Sequence, residues 1–303
     1  MCKFNVHRQQ WQHNKEAHSL AYKHACRFKL HSSHYYYTRK GYGIHMVKGK
    51  MKIYQSGGLD YLLTDGPDFI SNHLRQGRIW EELTLNISKA LIKDIKEPVL
   101  VDIGANLGAW SVPMGYHIHP IGGTIHAFEP QRPVFYQLCA NYICNNLTNC
   151  YANNLAIGDF TGFIDIPLLD IFECKNLGAL SISEKIRKEQ GWITNVSQTE
   201  RVRISSLDDL QLPTAHLIKV DVEGLEFEVF KGGKNWLKQS GNPPILFEVW
   251  GDYMANMIPT RQKLMHFLQN EMGYELFQYG ELCIGQHQNN QKINIGALIG
   301  QTA

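Results

Sequence analysis

Val101-Asp-Ile-Gly-Ala-Asn-Leu-Gly-Ala-Trp110 closes a short apolar run and opens a helical pattern, with two glycines between them. The run, Pro98-Val-Leu-Val-Asp-Ile103, is continuous rather than alternating, as in parallel strands buried on both faces. It sets Asp102 at a strand end and Gly104 and Gly108 in the turn, with a helix beginning near Ala109. Glycine there lets the chain turn sharply and lets the backbone approach a ligand beyond the carboxyl end of the strand. A dinucleotide fingerprint requires G-x-G-x-x-G, but Asn106 stands where the second glycine belongs. A side chain there crowds a pyrophosphate and leaves room for a nucleoside that lacks one. No G-x-x-x-x-G-K-[ST] occurs, so a P-loop is excluded.

Working outward, strands and helices alternate. Thr124–Phe128 is a second apolar run, Pro133–Cys144 has helical spacing, and Tyr151–Ile157 reads as a third strand. Phe163–Ile166 and Val202–Ile204 flank an irregular polar stretch at 170–200. His216–Asp221 is a fourth core strand followed by a helix over Leu225–Lys231, and Ile245–Val249 is a fifth. Helical spacing recurs over Ile79–Ile92 and Lys263–Met272, and Tyr274–Gln278 with Ile293–Ile299 is expected to close the sheet. Repeated βα units predict an α/β fold with a doubly wound, mostly parallel, Rossmann-like sheet.

Glu129, twenty-five residues after Gly104, ends the second strand, where a carboxylate suits both hydroxyls of a ribose. Glycine turn and acidic strand end together specify an adenosine-type ligand without phosphates, which S-adenosylmethionine satisfies. The candidate cofactor-binding residues are Asp102, Gly104, Ala105, Asn106, Gly108, Glu129 and Asn154. Methyl transfer to an alcohol needs in-line positioning and a base or metal ion near the methyl group. Asp221, Glu223 and Glu226 cluster after the fourth strand, Lys219 shares a face with Asp221, and Glu248 ends the fifth. Asp221, Glu223 and Glu248 are the catalytic candidates, with Mg²⁺ between Asp221 and Glu248 as one option and a lone carboxylate base as the other. Glu226 is balanced between this cluster and a solvent-facing first-turn acid. Asn176–Ser181 is placed either as a cover for the acceptor pocket or as a plain surface loop.

Val101-Asp-Ile-Gly-Ala-Asn-Leu-Gly108, Phe128-Glu-Pro130, Ile218-Lys-Val-Asp-Val-Glu-Gly-Leu-Glu226 and Phe247-Glu248 occur in the order and spacing of FkbM-type methyltransferases, and the chain resembles that family over roughly residues 75–300. Ser205-Ser-Leu-Asp-Asp-Leu210 matches a further element, and the D-V-E-G-x-E portion is the most specific part. The resemblance implies a class I S-adenosylmethionine-dependent fold that methylates an oxygen of a sugar, polyketide or similar metabolite.

The remaining sequence frames this core. Forty-four per cent hydrophobic and 19% charged residues make a globular composition over 303 residues. The net charge of +2 hides an asymmetry, because residues 1–52 carry eleven Lys and Arg against Glu16 alone. Residues 1–60 are read as a basic, His-rich extension holding a short helix over Ala17–Leu30 and a β-hairpin over Gly43–Tyr54 that turns at Lys48-Gly49; residues 61–303 are read as the methyltransferase domain. Seven cysteines, no apolar leader and no membrane-spanning run point to reduced thiols and a cytoplasmic setting. The expected partner is a small-molecule or glycan acceptor. An RNA methyltransferase using the basic arm is the disfavoured alternative, since the rest of the chain is acidic. A non-catalytic adenosyl-binding module is the alternative from another class.

Overall fold

A computed structural model describes residues 50–178, 180–190 and 198–296. Strands β1 (Met51–Ser56) and β2 (Leu59–Thr64) pair antiparallel around Gly57-Gly58, whose φ values of 57° and 80° suit the tight hairpin turn. The turn expected at Lys48-Gly49 and the helix at Ala17–Leu30 lie outside the described residues. The hairpin also crosses the boundary expected at residue 60. Asn141 and Asn145 of helix α4 (Arg132–Cys144) and its C-cap bond the free edge of β2: Leu62 N donates to Asn141 Oδ1 at 2.6 Å and Asp60 N to Asn145 Oδ1 at 2.9 Å. The hairpin is therefore part of the larger unit, held by side chains that satisfy an otherwise open strand edge.

The main sheet has seven strands. β3 (Val99–Ile103), β4 (Thr124–Phe128), β5 (Cys150–Asn153), β9 (Leu217–Val220), β10 (Ile245–Glu248), β11 (Tyr274–Tyr279) and β12 (Leu282–His287) lie in the order β5-β4-β3-β9-β10-β12-β11. Ladders from β5 through β10 are parallel, and β12 runs antiparallel to both its neighbours. Helices α1 (Phe69–Arg75), α2 (Glu82–Ile92), α3 (Ser111–Ile118), α4, α5 (Glu184–Gln190), α6 (Glu226–Gly232), α7 (Lys234–Gln239) and α8 (Ile258–His266) complete the order. Leu100, Leu217 and Leu246 pack with α2, α3 and α4 on one face. Val101, Ile218, Ile245 and Phe247 pack with α6, α7 and α8 on the other. Double winding is the reason the central strands β3, β9 and β10 are apolar apart from Asp102, Lys219 and Glu248, one in each.

Three expectations change. The third strand is split: β5 ends at Asn153, and β6 (Ala156–Gly158) joins a second sheet with β7 (Gly162–Pro167) and β8 (Thr199–Ser206), in the order β6-β8-β7. Asn153 and Asn154 spend their amides on neighbouring carbonyls at this break. The closing strand after β11 is Leu282–His287, not Ile293–Ile299, because Gly280-Glu281 makes a tight turn directly after Tyr279. Residues 291–294 have no regular structure, and 297–299 lie outside the described residues. The last helix starts five residues earlier than Lys263 and loosens into a π turn over Phe267–Glu271.

Candidate active site

Alternation along three neighbouring strands determines the floor of the site. In β3 the face that carries Leu100 next carries Asp102; in β9 Leu217 is followed by Lys219; in β10 Leu246 is followed by Glu248. Asp102 and Lys219 are register partners. Polar groups are thus gathered at the carboxyl ends of β3, β9 and β10, on the face covered by α2. Asp221 follows β9, its N–H donating to the Ile103 carbonyl at 2.9 Å. Glu81 closes the group from above: it caps the start of α2 in a left-handed conformation, φ 46°, and accepts the Trp80 indole N–H at 2.8 Å.

A cavity of about 340 Å³ opens over this floor. The glycine turn, Phe128–Gln131, Leu155–Ile157, Trp80-Glu81 and the ends of β9 and β10 line it. Its position, at the carboxyl ends of parallel strands, is where open α/β sheets bind ligands. Gly104, Ala105, Asn106 and Glu129 line it among the expected cofactor residues, as do Asp221, Glu223 and Glu248.

Asp102, Gly108 and Asn154 do not line it. Asp102 is 0% exposed and faces Lys219 inside the floor; burial pushes its carboxyl up to about 6 against the pull of the Lys219 charge. Gly108 is a packing position, because a Cβ there would meet Leu138 and Val112 at 2.9 Å. Asn154 braces the β4 exit, donating to the carbonyls of Glu129 and Pro130 at 2.9 Å.

Glu129 is 6% exposed and accepts from the backbone N–H of Asn106 at 2.9 Å and of Gln131 at 2.7 Å. Burial pushes it up to about 7, while those two bonds favour the charged form. Asn106 adopts φ 50° and caps itself, Oδ1 accepting from Leu107 N at 2.7 Å. Gly104, at φ 83°, answers a different need from the one its motif suggests. A Cβ on it would lie 1.8 Å from the Asp221 carbonyl oxygen, so glycine is required for β3 and β9 to approach one another.

At the other end of the cavity, Lys219 is 6% exposed and its Nζ lies 2.9 Å from Asp221 Oδ2. Burial alone would lower the Lys219 pKa; the Asp221, Asp102, Glu81 and Glu248 charges outweigh it and raise it. Burial, reinforced by Asp221, pushes Glu223 up to about 9. The Asp221 charge, then burial, pushes Glu248 up to about 8. Burial raises Glu81 as well, with Lys219 opposing. Oxygens of Glu81, Asp221 and Glu248 lie within 4.8 Å of one another, a spacing that could hold one metal ion. Glu226 is neither solvent-facing nor in the cavity: it is 6% exposed and accepts from Val222 N and Gly224 N at 3.2 Å, pinning the turn that carries Glu223. Asp208 of the Ser205–Leu210 element is also structural, capping α7 through Asn235 N and Trp236 N at 3.0 and 2.7 Å.

Sequence reasoning missed Glu81, Trp80 and Asp68. Asp68 is fully buried, accepts from Ser71 N at 2.8 Å and from Leu177 N at 2.9 Å, and so ties the 170–182 segment to α1. Of that segment, Asn176, Leu177, Gly178, Leu180 and Ile182 line the cavity. An isolated Asp before an amphipathic run was a readable cap signal; the reach to Leu177, 109 residues away, was not.

A doubly wound sheet with one antiparallel strand, a glycine turn after its first core strand and an acid ending the second define the class I methyltransferase architecture. The family model described as Methyltransferase FkbM domain matches residues 102–276, more than half the chain, and the protein belongs to that S-adenosylmethionine-dependent methyltransferase family. No curated protein sequence matches it. Among solved structures it is similar to the methyltransferase FkbM from Methylobacillus flagellatus KT, with 17% identity, TM-score 0.39, and 63% of this chain aligned to 43% of that one. The chain thus spans under half the length of that relative. Precorrin-6y C5,15-methyltransferase from Geobacter metallireducens GS-15 aligns at 14% identity and TM-score 0.42, over 69% of this chain and 90% of that one. M. jannaschii TYW2, in complex with AdoMet, aligns at 13% identity and TM-score 0.35, over 80% and 86%. No helix among the described residues is long and apolar enough to cross a membrane.

Proposed function

We propose that the protein transfers the methyl group of S-adenosylmethionine to a hydroxyl of a sugar-like, polyhydroxylated acceptor. The observation that carries the reading is a single cavity with the Glu129 carboxylate at one end and Asp221, Glu223 and Glu248 at the other. When bound, the cofactor supplies an electrophilic methyl on a positively charged sulfur. Glu129 would accept from the ribose hydroxyls, and Pro130, Leu155, Ala156 and Ile157 offer an apolar slot beside it for the base. The acid-rich end would sit close to the sulfonium charge, which its carboxylates favour.

In this reading Asp221 takes the acceptor proton as the new C–O bond forms and the C–S bond breaks. Glu223 and Glu248, held in their protonated forms near neutral pH, donate hydrogen bonds that orient the acceptor. Phe69 and Trp80, edge to face at 5.7 Å, provide an aromatic wall for the apolar side of a sugar ring. Among the described residues six acidic side chains line the cavity, Glu223 and Glu248 of them protonated, against one lysine that is already paired, so a polyanionic acceptor such as RNA is disfavoured. The spacing of Glu81, Asp221 and Glu248 favours a second version, in which a divalent ion held by these three replaces the base.

Calorimetric titration with S-adenosylmethionine and S-adenosylhomocysteine tests the cofactor. Transfer of labelled methyl to a panel of hexoses, methyl glycosides, aminosugars and RNA oligonucleotides tests the acceptor. Cofactor binding without transfer to any of them would favour a non-catalytic binding module; preferential transfer to RNA would overturn the acceptor reading.

A further inference from the structure

We propose that Lys219 is a positioning residue for methyl transfer, an internal cation whose ammonium fixes the Asp221 carboxylate at the cavity floor; this rests on the reading of Asp221 as the group that receives the acceptor proton. Lys219 projects from the centre of the sheet, its strand buried on both faces, and its side chain is 6% exposed. Burying an ammonium is costly unless it is paired. Its hydrogen-bonded partner is Asp221 Oδ2, at 2.9 Å, on the residue two positions along the same chain. Asp102, its register partner on β3, is fully buried and lies on the same face.

The pairing constrains more than charge. Asp221 lies past the last ladder position of β9, where only its backbone N–H bond to Ile103 continues the strand. The Lys219 bond restricts χ1 and χ2 of a side chain set among the acids Glu223 and Glu248. Lys219 is anchored by the sheet and holds the carboxylate at the cavity floor, which both residues line. One oxygen is engaged by the ammonium, and the other is left for the acceptor. At the cofactor end of the cavity the Glu129 carboxylate takes its bonds from Asn106 and Gln131, not from the Lys219–Asp221 side chains. A positioning role therefore predicts a loss in turnover that is separate from cofactor affinity.

The test is a double-mutant cycle on the full chain with Lys219→Met, Asp221→Asn and the double variant, plus Lys219→Arg. Cofactor affinity is read by calorimetry with S-adenosylmethionine, and kcat and KM with the best acceptor from a panel of hexoses, methyl glycosides and aminosugars. Lys219→Met should lower kcat about 10- to 100-fold with KM and cofactor affinity within about threefold of the parent. In the Asp221→Asn background the same change should cost less than about threefold, because its target is gone. Lys219→Arg should recover part of the loss. Should Lys219→Met fail to fold, the double variant, which removes both members of the pair and leaves Asp102 as the one buried acid at the register position facing residue 219, carries the comparison with Asp221→Asn alone, and Lys219→Arg must retain turnover. Independent, multiplicative losses, or a cofactor affinity reduced tenfold with kcat intact, overturn the role of Lys219 and leave the methyltransferase reading standing. A parent that methylates none of these acceptors overturns both.

Discussion

Gly104 and Asp221 stand so close that a Cβ on the glycine would lie 1.8 Å from the aspartate's carbonyl oxygen. The glycine turn after β3 and the end of β9 are therefore one mechanical unit. Gly104 also holds φ 83°, which an L side chain adopts only under strain. Gly104→Ala should destabilise the fold by at least about 1–3 kcal/mol, the cost of strained backbone, and displace Asp221 in addition. Urea unfolding checks it: an unchanged midpoint would mean the two strands need not approach so closely. Loss of cofactor binding in this variant would then report distortion of β3 and β9 as well as any blocked ligand approach.

Glu129 is the cleaner probe of the cofactor. Glu129→Ala should weaken S-adenosylmethionine binding by about 1–3 kcal/mol, the range for hydrogen bonds to a charged group. The parent's affinity should also depend on pH. Glu129 carries a proton below about 7, and the charged form is the better acceptor for two hydroxyl donors. Affinity should rise as pH increases from 6 to 8, and the rise should flatten in Glu129→Ala. Equal calorimetric affinities at both pH values in the parent would place the ribose elsewhere.

The same buried acids set the stability profile of the free protein. Asp102, Glu129, Glu226, Glu248 and Glu223 are pushed up to about 6, 7, 7, 8 and 9 in the fold. Between about pH 4, where unfolded carboxyls titrate, and pH 9 these five carboxyls bind more protons folded than unfolded, so their contribution to stability falls as pH rises. His117, His126 and His216, lowered by burial, oppose this only up to about the ordinary histidine range, so the carboxyls dominate above pH 7. A net loss equivalent to one pKa unit, about 1.4 kcal/mol, lowers Tm by about 3–6 °C in a domain of this size. Thermal melts at pH 5.5, 7 and 8.5 should show a decline from pH 7 to 8.5, shallower in Glu223→Gln. A maximum at pH 8.5 would mean these carboxyls are compensated in the free protein.

The sheet was legible because its core strands are short and mostly apolar, a consequence of helices on both faces; Thr124–Phe128 is recovered residue for residue. The Asp221, Glu223 and Glu248 side of the site was legible for the same reason, since a carboxylate that ends such a run has few structural excuses. What failed depended on distance in the chain. Glu81 joins the cluster only because the backbone takes φ 46° before α2, a property no residue type at position 81 announces. The break between β5 and β6 hides inside an unbroken apolar pattern, and it is fixed by Asn153 and Asn154 bonding carbonyls of the preceding strand and its exit. Gly104 was read as making room for a ligand; it lines the cavity, and it also makes room for another strand, a need its motif does not announce.

Asp221 and Glu248 divide the two versions of the chemistry. Asp221→Asn removes the proposed base and should lower turnover by about 10²–10⁴-fold with cofactor affinity little changed. Glu248 is different, because its pKa of about 8 means that it holds a proton at pH 7. Glu248→Gln replaces a neutral acid by a neutral amide of similar shape, so turnover at pH 7 should fall less than about tenfold. Above pH 8 the parent's Glu248 gains a charge that the variant cannot, and the two profiles should separate there. If instead Glu81, Asp221 and Glu248 share a divalent ion, metal binding keeps Glu248 ionised and the glutamine is a lost ligand. Glu248→Gln would then be as damaging as Asp221→Asn at every pH, and Glu81→Gln would join them. EDTA would silence the parent, and Mg²⁺ would restore it. Turnover measured against pH for the three variants, with and without EDTA, decides between a base held by lysine and a metal held by three carboxylates. Full turnover by Asp221→Asn under both conditions would remove Asp221 from the chemistry altogether.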